Sequence, residues 1–404
     1  MRLRYTLAIL ALLCVLAYAP SVRLPLIEDD YPSLAQAQTL GAPWQLAGLF
    51  HNTVFRVRAT SVWSMYWLWQ IAHLTPAVYH AFSLLLHILN TWLVYAIVAG
   101  WLRVRAPAFW AAAFFAVQEG HQEAVMWFTA INELWMFLFG AAALWWGIQR
   151  GHRIAGPILF FLALISKESA IIFLPLYWLI EPNCRRLVPY AAIGALVTGS
   201  IFLSHAGSFR FSDGSFSLHA PFWLTWPRGI FRVLWIWGII AIVILIARRA
   251  FTRFAGIALA WIAIALLPYI FLTYSTAIPS RQTYLATVGL AMLFAMAIDT
   301  FRRREAIALL AAVMLIHNIG YLWTRKRAQF LQRAEPTERL IQMAKTADGP
   351  IWVRCFPRTD WIAKEAVHLG AGKPDTILVW SAQEARDRGA TSVFCYQEKK
   401  LGHE

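Results

Sequence analysis

Residues 79–105 read YHAFSLLLHILNTWLVYAIVAGWLRVR. From Tyr79 to Leu102 the run holds no acid, lysine or arginine, and it stops at Arg103 and Arg105. A helix crossing a bilayer needs roughly 20 apolar residues, and this stretch supplies them. The whole chain has the same character. Its 404 residues are 59% hydrophobic and 14% charged, against about 25% charged in soluble domains. Such a chain cannot cover a globule with polar surface. Disorder, a coiled coil and a disulfide scaffold are excluded on the same grounds. The net charge of +15 does not point to nucleic acid, because its placement follows the membrane spans.

Eleven apolar stretches are candidate spans: about 5–22, 78–102, 106–118, 131–149, 154–166, 169–182, 187–204, 228–247, 254–273, 283–299 and 305–323. The pair 154–182 could instead be one broken helix. Arginines mark every second connection: Arg2 and Arg4, Arg103 and Arg105, Arg150 and Arg153, Arg185 and Arg186, Arg248, Arg249 and Arg253, and Arg302 to Arg304. The positive-inside rule puts these loops and the N-terminus in the cytoplasm, and eleven spans put the C-terminus outside. The stretch 61–75, SVWSMYWLWQIAHLT, is too short to span and would invert every later loop if it did. It reads as an interfacial helix. Residues 1–22 resemble a signal peptide, but Pro20 after Ala17-Tyr18-Ala19 suits an uncleaved first span.

The carboxylates run the other way. Glu28, Asp29, Asp30, Glu119, Glu123, Glu133, Glu168 and Asp213 fall outside or at the outer rim. The first outer segment, 23–77, is far longer than a helix connection requires, and such loops are usually functional. Pro32 can open a helix there and Gly41 can end it. A second outer loop covers 205–227, with Gly207 and Gly214.

Residues 1–323 hold 22 of the 36 basic residues and 11 of the 21 acids. The remainder, 324–404, is therefore a normally charged soluble unit. Strand patterns at IWVRCF, TILVWS and SVFCY alternate with helices at Asp360–Leu369, ended by Gly370, and Gln383–Arg388. The expected architecture is an all-α polytopic membrane protein of about eleven spans with a small extracytoplasmic α/β unit. Cys355 and Cys395 fall in strands on the oxidising side; whether they pair stays open, because sequence cannot supply their approach. Cys14 reads as a packed core thiol and Cys184 as a reduced cytoplasmic one. No Walker loop, GxGxxG, zinc-type cysteine pair or GxSxG occurs.

Five polar clusters interrupt this apolar chain. Glu28-Asp29-Asp30-Tyr31 follows the first span; adjacent acids raise one another's pKa, which suits a general base, a metal-binding carboxylate or a plain helix cap. Gln118 to Trp127 places His121 and Glu123 at the outer end of the third span. Ser166-Lys167-Glu168-Ser169 puts charge where it is costly, as a self-neutralising pair or a lysine aimed at a phosphate. Pro279 to Gly289 carries Tyr284 and Arg281, whose side chain either snorkels to the interface or offers a planar guanidinium to phosphate. His80, His87 and Asn90 share one helix face, which reads as a polar seam between helices.

In this order the clusters resemble the GT-C superfamily of membrane glycosyltransferases, in particular its protein O-mannosyltransferase-like branch. Asp29-Asp30 stands where that branch has an Asp-Asp pair. Arg58-Ala59 replaces its Arg-Pro element. Tyr79-His80, Ser83, His87 and Asn90 match its second span. His121-Gln122-Glu123-Ala124-Val125-Met126-Trp127 matches His-Pro-x-x-Glu-Ala-Val-x-Trp, one residue shorter and without proline. Ser166 to Ala170 matches Ser-Lys-Glu-(Thr/Ser)-Ala in full. Arg281, Tyr284 and Gly289 keep part of Arg-Tyr-x-Tyr-Leu-Pro-x-x-Gly. The resemblance covers roughly 24–300, leaves the tail uncovered, and implies a GT-C catalytic module over 1–323.

The resemblance implies an inner-membrane hexosyltransferase that takes a mannose-like sugar from a polyprenyl-phosphate carrier to an acceptor hydroxyl on protein, lipid or glycan, outside the cytoplasm, with inversion. Asp29 would be the base, and Asp30 would position the acceptor or share the proton. Lys167, Arg281 and Tyr284 would hold the donor phosphate. His121, Glu123, Glu168, Arg58 and His80 would bind sugar or acceptor. No tightly bound metal is implied, although Asp29, Asp30 and Glu123 could hold a divalent ion. The rival readings are a polyprenyl-lipid transporter or flippase, which would carry its charges at mid-bilayer in inverted repeats, and a non-catalytic envelope assembly protein on the same frame.

Overall fold

The computed structural model describes residues 2–203 and 215–396. Gly207, Asp213 and Gly214 of the second outer loop lie outside the described residues. A helix covers each of the eleven apolar stretches. Among the described residues four helices are long and apolar enough to cross a membrane: Leu3–Arg23, Pro76–Leu102, Phe128–Gln149 and Arg304–Thr346. A fifth candidate is the pair Phe222–Leu234 and Trp237–Ala247, bent by 74° at Ile236, whose φ of +61° takes the backbone out of the helical region. Arg105–Val117, Ala155–Leu164, Glu168–Ile180, Arg253–Tyr269 and Thr287–Asp299 are apolar but shorter. The protein is a multi-pass membrane protein. The segment 154–182 is two helices, parted at Ile165–Lys167.

Helix Pro76–Leu102 packs on Arg105–Val117 and on Ile131–Ala142, and Arg105–Val117 packs in turn on Thr287–Asp299. The small residues Ala108, Ala111, Ala112, Ala113 and Ala116 are wholly or almost wholly buried there. In lipid no hydrophobic force drives helices together, so small side chains that let backbones approach do it instead. Gly289 serves the same close approach: a Cβ there would sit 2.4 Å from the Ala258 carbonyl oxygen. The first helix belongs to this core, with Leu10, Cys14, Ala17 and Tyr18 buried and the Tyr18 hydroxyl donating to Gln118 O at 2.6 Å.

The long first loop is helical, as its sequence suggests. Asp30–Leu40 starts two residues before Pro32 and ends at Gly41. Ala59–Ala72 is a 14-residue helix, outside the helices long enough to span.

The division at residue 324 falls inside a helix. Arg304–Tyr321 runs through a π turn at Leu322–Lys326 into Arg327–Thr346 without a break. Its second half turns charged, so composition changes where backbone structure does not. Beyond it, β1 (Ile351–Cys355), β2 (Leu378–Val379) and β3 (Ser392–Cys395) form a parallel sheet in the order β2-β1-β3. Parallel strands need crossovers, here Asp360–Ala371 and Ala382–Asp387. Asp360–Ala371 ends at Gly372, φ +64°, not at Gly370. Leu340, Ala344, Ile351, Val353, Ala363, Val367 and Phe394 form a separate small core. The register sets Cys355 opposite Cys395, and the two are disulfide-bonded.

Candidate active site

The chain turns sharply at Ile27–Asp30 between the first helix and Asp30–Leu40. Glu28 has φ +45°, a left-handed conformation unusual for a residue with a side chain. Such strain persists only where neighbours hold it, and two clamps do so. The buried Asp30 carboxylate accepts from Ile27 N at 2.8 Å, Thr129 N at 2.7 Å and Thr129 Oγ1 at 2.6 Å. The Glu28 carboxylate takes Arg333 at 2.6 Å and Arg358 at 2.7 Å, from the C-terminal helix and the loop after β1.

Between the clamps Asp29 is left exposed with no capping hydrogen bond. The three acids are thereby split into different protonation behaviours. Burial raises the Glu28 pKa, but the hydrogen bonds and charges of Arg333 and Arg358 outweigh it and hold the carboxyl below its ordinary value. Partial desolvation and then the Glu28 charge push Asp29 up, against the pull of Arg281, Arg333 and Arg358. Burial drives Asp30 up to about 7 in spite of its donors.

Arg281 joins the elbow through Trp127. Its guanidinium lies over the Trp127 ring at 4.9 Å, and that of Arg333 lies over the same ring at 4.6 Å. An indole face attracts cations, so one tryptophan gathers two guanidinium groups. Glu123 fixes the approach: its Oε2 accepts from Arg281 N at 3.2 Å and stands 3.7 Å from the guanidinium. Gln122 Nε2 donates to Ser280 Oγ at 2.7 Å. The 118–127 and 279–289 clusters are thus one unit.

Lys167 is almost completely buried. Its ammonium is ion-paired with Glu133, lies 3.4 Å from the Tyr269 hydroxyl and 4.8 Å from that ring's centroid. Glu133 stands one helical turn after Thr129, which holds Asp30. Arg58 forms a forked pair with Glu168, and Thr60 Oγ1 donates to Ser166 Oγ at 2.8 Å. The 166–169 cluster therefore binds the first loop to the helix that supports the elbow.

The remaining expected residues are buried between helices. Tyr284 OH meets His87 Nδ1 at 2.8 Å and accepts from Asn90 Nδ2 at 3.3 Å. His121 Nε2 meets Thr287 Oγ1 at 2.5 Å, and its ring packs 4.5 Å from that of Tyr284. His80 is buried beside the Leu24–Pro25 backbone. His87 and Asn90 thus form the polar seam that their spacing suggests, and Tyr284 and His121 belong to it. Among the described residues no three His, Cys, Asp or Glu side chains converge to hold an ion. Asp30 spends both oxygens on three donors and Glu123 faces Arg281, so the set Asp29, Asp30 and Glu123 does not form a cation cage.

Sequence reasoning missed Arg333, Arg358 and Thr129 as site residues. Trp127 closes a quoted motif and could have been found. Arg333 and Arg358 lie in the tail beyond every motif, and no local pattern marks them.

No family model matches the sequence, and no curated protein matches it. Solved structures do. ArnT from Cupriavidus metallidurans bound to undecaprenyl phosphate aligns with 97% of this chain and 90% of its own, at 13% identity and a TM-score of 0.58. The oligosaccharyltransferase AglB from Archaeoglobus fulgidus, in complex with an inhibitory peptide and a dolichol-phosphate, aligns with 94% of this chain at 11% identity and a TM-score of 0.53. The same archaeal enzyme with zinc and sulfate gives 12% identity and a TM-score of 0.55. The chain spans 62% and 64% of the length of those archaeal chains. The chain shares the fold of these solved membrane chains.

Proposed function

We propose that this protein is a membrane glycosyltransferase that moves a sugar from a polyprenyl-phosphate carrier to an acceptor hydroxyl on the extracytoplasmic face. The supporting observation is the elbow itself. It sets a solvent-open carboxylate with a raised pKa, Asp29, within the charge field of Arg281, Arg333 and Arg358. A general base must stand where the attacking hydroxyl stands, with a pKa lifted toward the working pH. A leaving phosphate needs fixed positive charge as its own charge develops. The elbow and the arginines packed around it meet both demands.

In this reading Asp29 takes the acceptor proton as the hydroxyl oxygen bonds to the anomeric carbon. The bond from that carbon to the phosphate oxygen breaks on the opposite face, so configuration inverts and polyprenyl phosphate leaves. Asp30 keeps Asp29 in place. Arg281, half-exposed and oriented by Glu123 and Trp127, bears most of the phosphate charge. Lys167 shares its charge with Glu133 and acts beside the donor by anchoring the 166–169 segment. Arg58 and Glu168 border the sugar or acceptor. The sugar is assigned as a mannose-like hexose and the acceptor as protein, lipid or glycan. The arginine-rich connections favour eleven crossings of the inner membrane with a cytoplasmic N-terminus, a catalytic module over 1–323 and a periplasmic C-terminal unit over 324–404. The Cys355–Cys395 disulfide suits that compartment.

Reconstituted protein supplied with a polyprenyl-phosphate hexose tests the proposal. Asp29→Asn is expected to lose about 10²-fold or more in turnover, the scale of a lost general base, while polyprenyl-phosphate binding persists. Unchanged turnover in Asp29→Asn would refute it.

A further inference from the structure

A cavity of about 350 Å³ opens where the C-terminal unit meets the membrane body. Its wall carries Arg232, Lys326, Arg333 and Arg358, with Glu123 as its one carboxylate. Arg333 and Arg358 share the single carboxylate of Glu28. Among the described residues Arg232 and Lys326 form no ion pair. Lys326 Nζ donates to Gln329 Oε1 at 3.2 Å and lies 5.2 Å from the centroid of the Tyr321 ring. Arg232 donates to the Ile278 carbonyl. Glu119 acts on both through charge without pairing with either.

Like charges gathered on a concave wall repel one another unless an anion joins them, and the same wall focuses the field on anything that enters. Three features show how the wall is assembled. The π turn Leu322–Lys326 places Lys326 at the cavity, and such turns recur at functional sites. The loop after β1, stapled by the Cys355–Cys395 disulfide, delivers Arg358. In parallel α/β sheets ligands bind beyond the carboxyl ends of the strands, and Pro357 and Arg358 at the end of β1 line this cavity.

We propose that this cavity binds a phosphate monoester dianion, held by Lys326 and Arg232 together with Arg333 and Arg358, and that the C-terminal unit exists in part to close it. The cavity shares Arg333 and Arg358 with the charge field around Asp29 and adds Arg232 and Lys326 to it. It does not rest on the transferase reading, because a carrier-binding protein without turnover would possess it equally. The phosphate could belong to the lipid carrier or to a second molecule.

Purified full-length protein in detergent is titrated calorimetrically with polyprenyl phosphate and with inorganic phosphate. Lys326→Gln and Arg232→Gln are each expected to weaken phosphate binding about ten-fold, the scale of one lost charge-assisted hydrogen bond. Lys326→Arg should bind within about two-fold of wild type, and melting temperatures report that all variants fold. Weaker polyprenyl phosphate binding in Lys326→Gln and Arg232→Gln assigns the site to the carrier; weaker inorganic phosphate binding alone assigns it to a second phosphate. If either neutral variant binds both probes as tightly as wild type, the proposal is overturned. Loss of binding in Arg281→Gln alone would then leave the transferase reading standing.

Discussion

Arg333 reaches Glu28 across 305 positions of chain and closes on it at 2.6 Å. That pair fastens the C-terminal helix to the strained elbow carrying Asp29. Both side chains are largely buried, at 25% and 11% exposure, so screening by water is reduced but not abolished. A double-mutant cycle with Arg333→Gln and Glu28→Gln should give a coupling of about 1–2 kcal/mol in unfolding free energy. Each single variant should also lower turnover, since the elbow loses a clamp. Additive stabilities would show the pair to be incidental.

Asp30 gives a pH signature. Its folded-state pKa of about 7 lies above the ordinary 3.8. The native state therefore binds a proton that the unfolded chain releases between those values. Stability from this group is complete below about pH 4 and lost as pH rises through 7. Thermal melts between pH 5 and 8 should show that decline in wild type. Asp30→Asn, which cannot titrate, should lack this component of the slope.

Lys167 and Glu133 are each 2% exposed in the side chain. Removing one partner strands a buried charge. Lys167→Met should cost about 3–5 kcal/mol, and the double variant with Glu133→Leu should recover much of it. A Lys167→Met protein that melts like wild type would mean the ammonium serves no structural partner.

The disulfide closes 40 residues of chain. Loop-closure entropy for that length is about 4 kcal/mol. Replacing Cys355 and Cys395 by serine should destabilise the C-terminal unit by up to that amount, read as earlier proteolysis of 327–396. It should also lower phosphate binding, because Arg358 follows the staple by three residues.

Orientation has its own reporter. Cys184 is a free, exposed thiol next to Arg185 and Arg186. A membrane-impermeant maleimide should label it in inside-out vesicles and not in intact cells. Labelling from outside would invert the proposed topology.

Much of this was legible in the sequence for a local reason. Apolar runs report helices because each buries its own length in lipid, and every one of the eleven runs is helical. Strand and helix alternation in the tail was equally local, with Gly372 replacing Gly370 as the stop. The order of the polar clusters pointed to a membrane glycosyltransferase frame, and the fold aligns with those of ArnT and the archaeal oligosaccharyltransferase.

Partners were not legible. Asp29, Asp30 and Glu28 are consecutive, and nothing in their order says that one stays open, one takes three donors and one binds two arginines from the tail. Lys167 and Tyr284 carry the right chemistry for phosphate by type, yet one lies on Glu133 and the other on His87. Hydrophobic periodicity is a property of neighbouring residues, so the chain states it directly. Ion pairs and cation–π contacts depend on which distant helices pack together, and that is set by the summed fit of many small side chains rather than by any motif. The amino-acid order by itself determined a multi-pass helical protein with acids and arginines segregated. Only the packed structure decided which carboxylate remained available and brought Arg333 and Arg358 to its side.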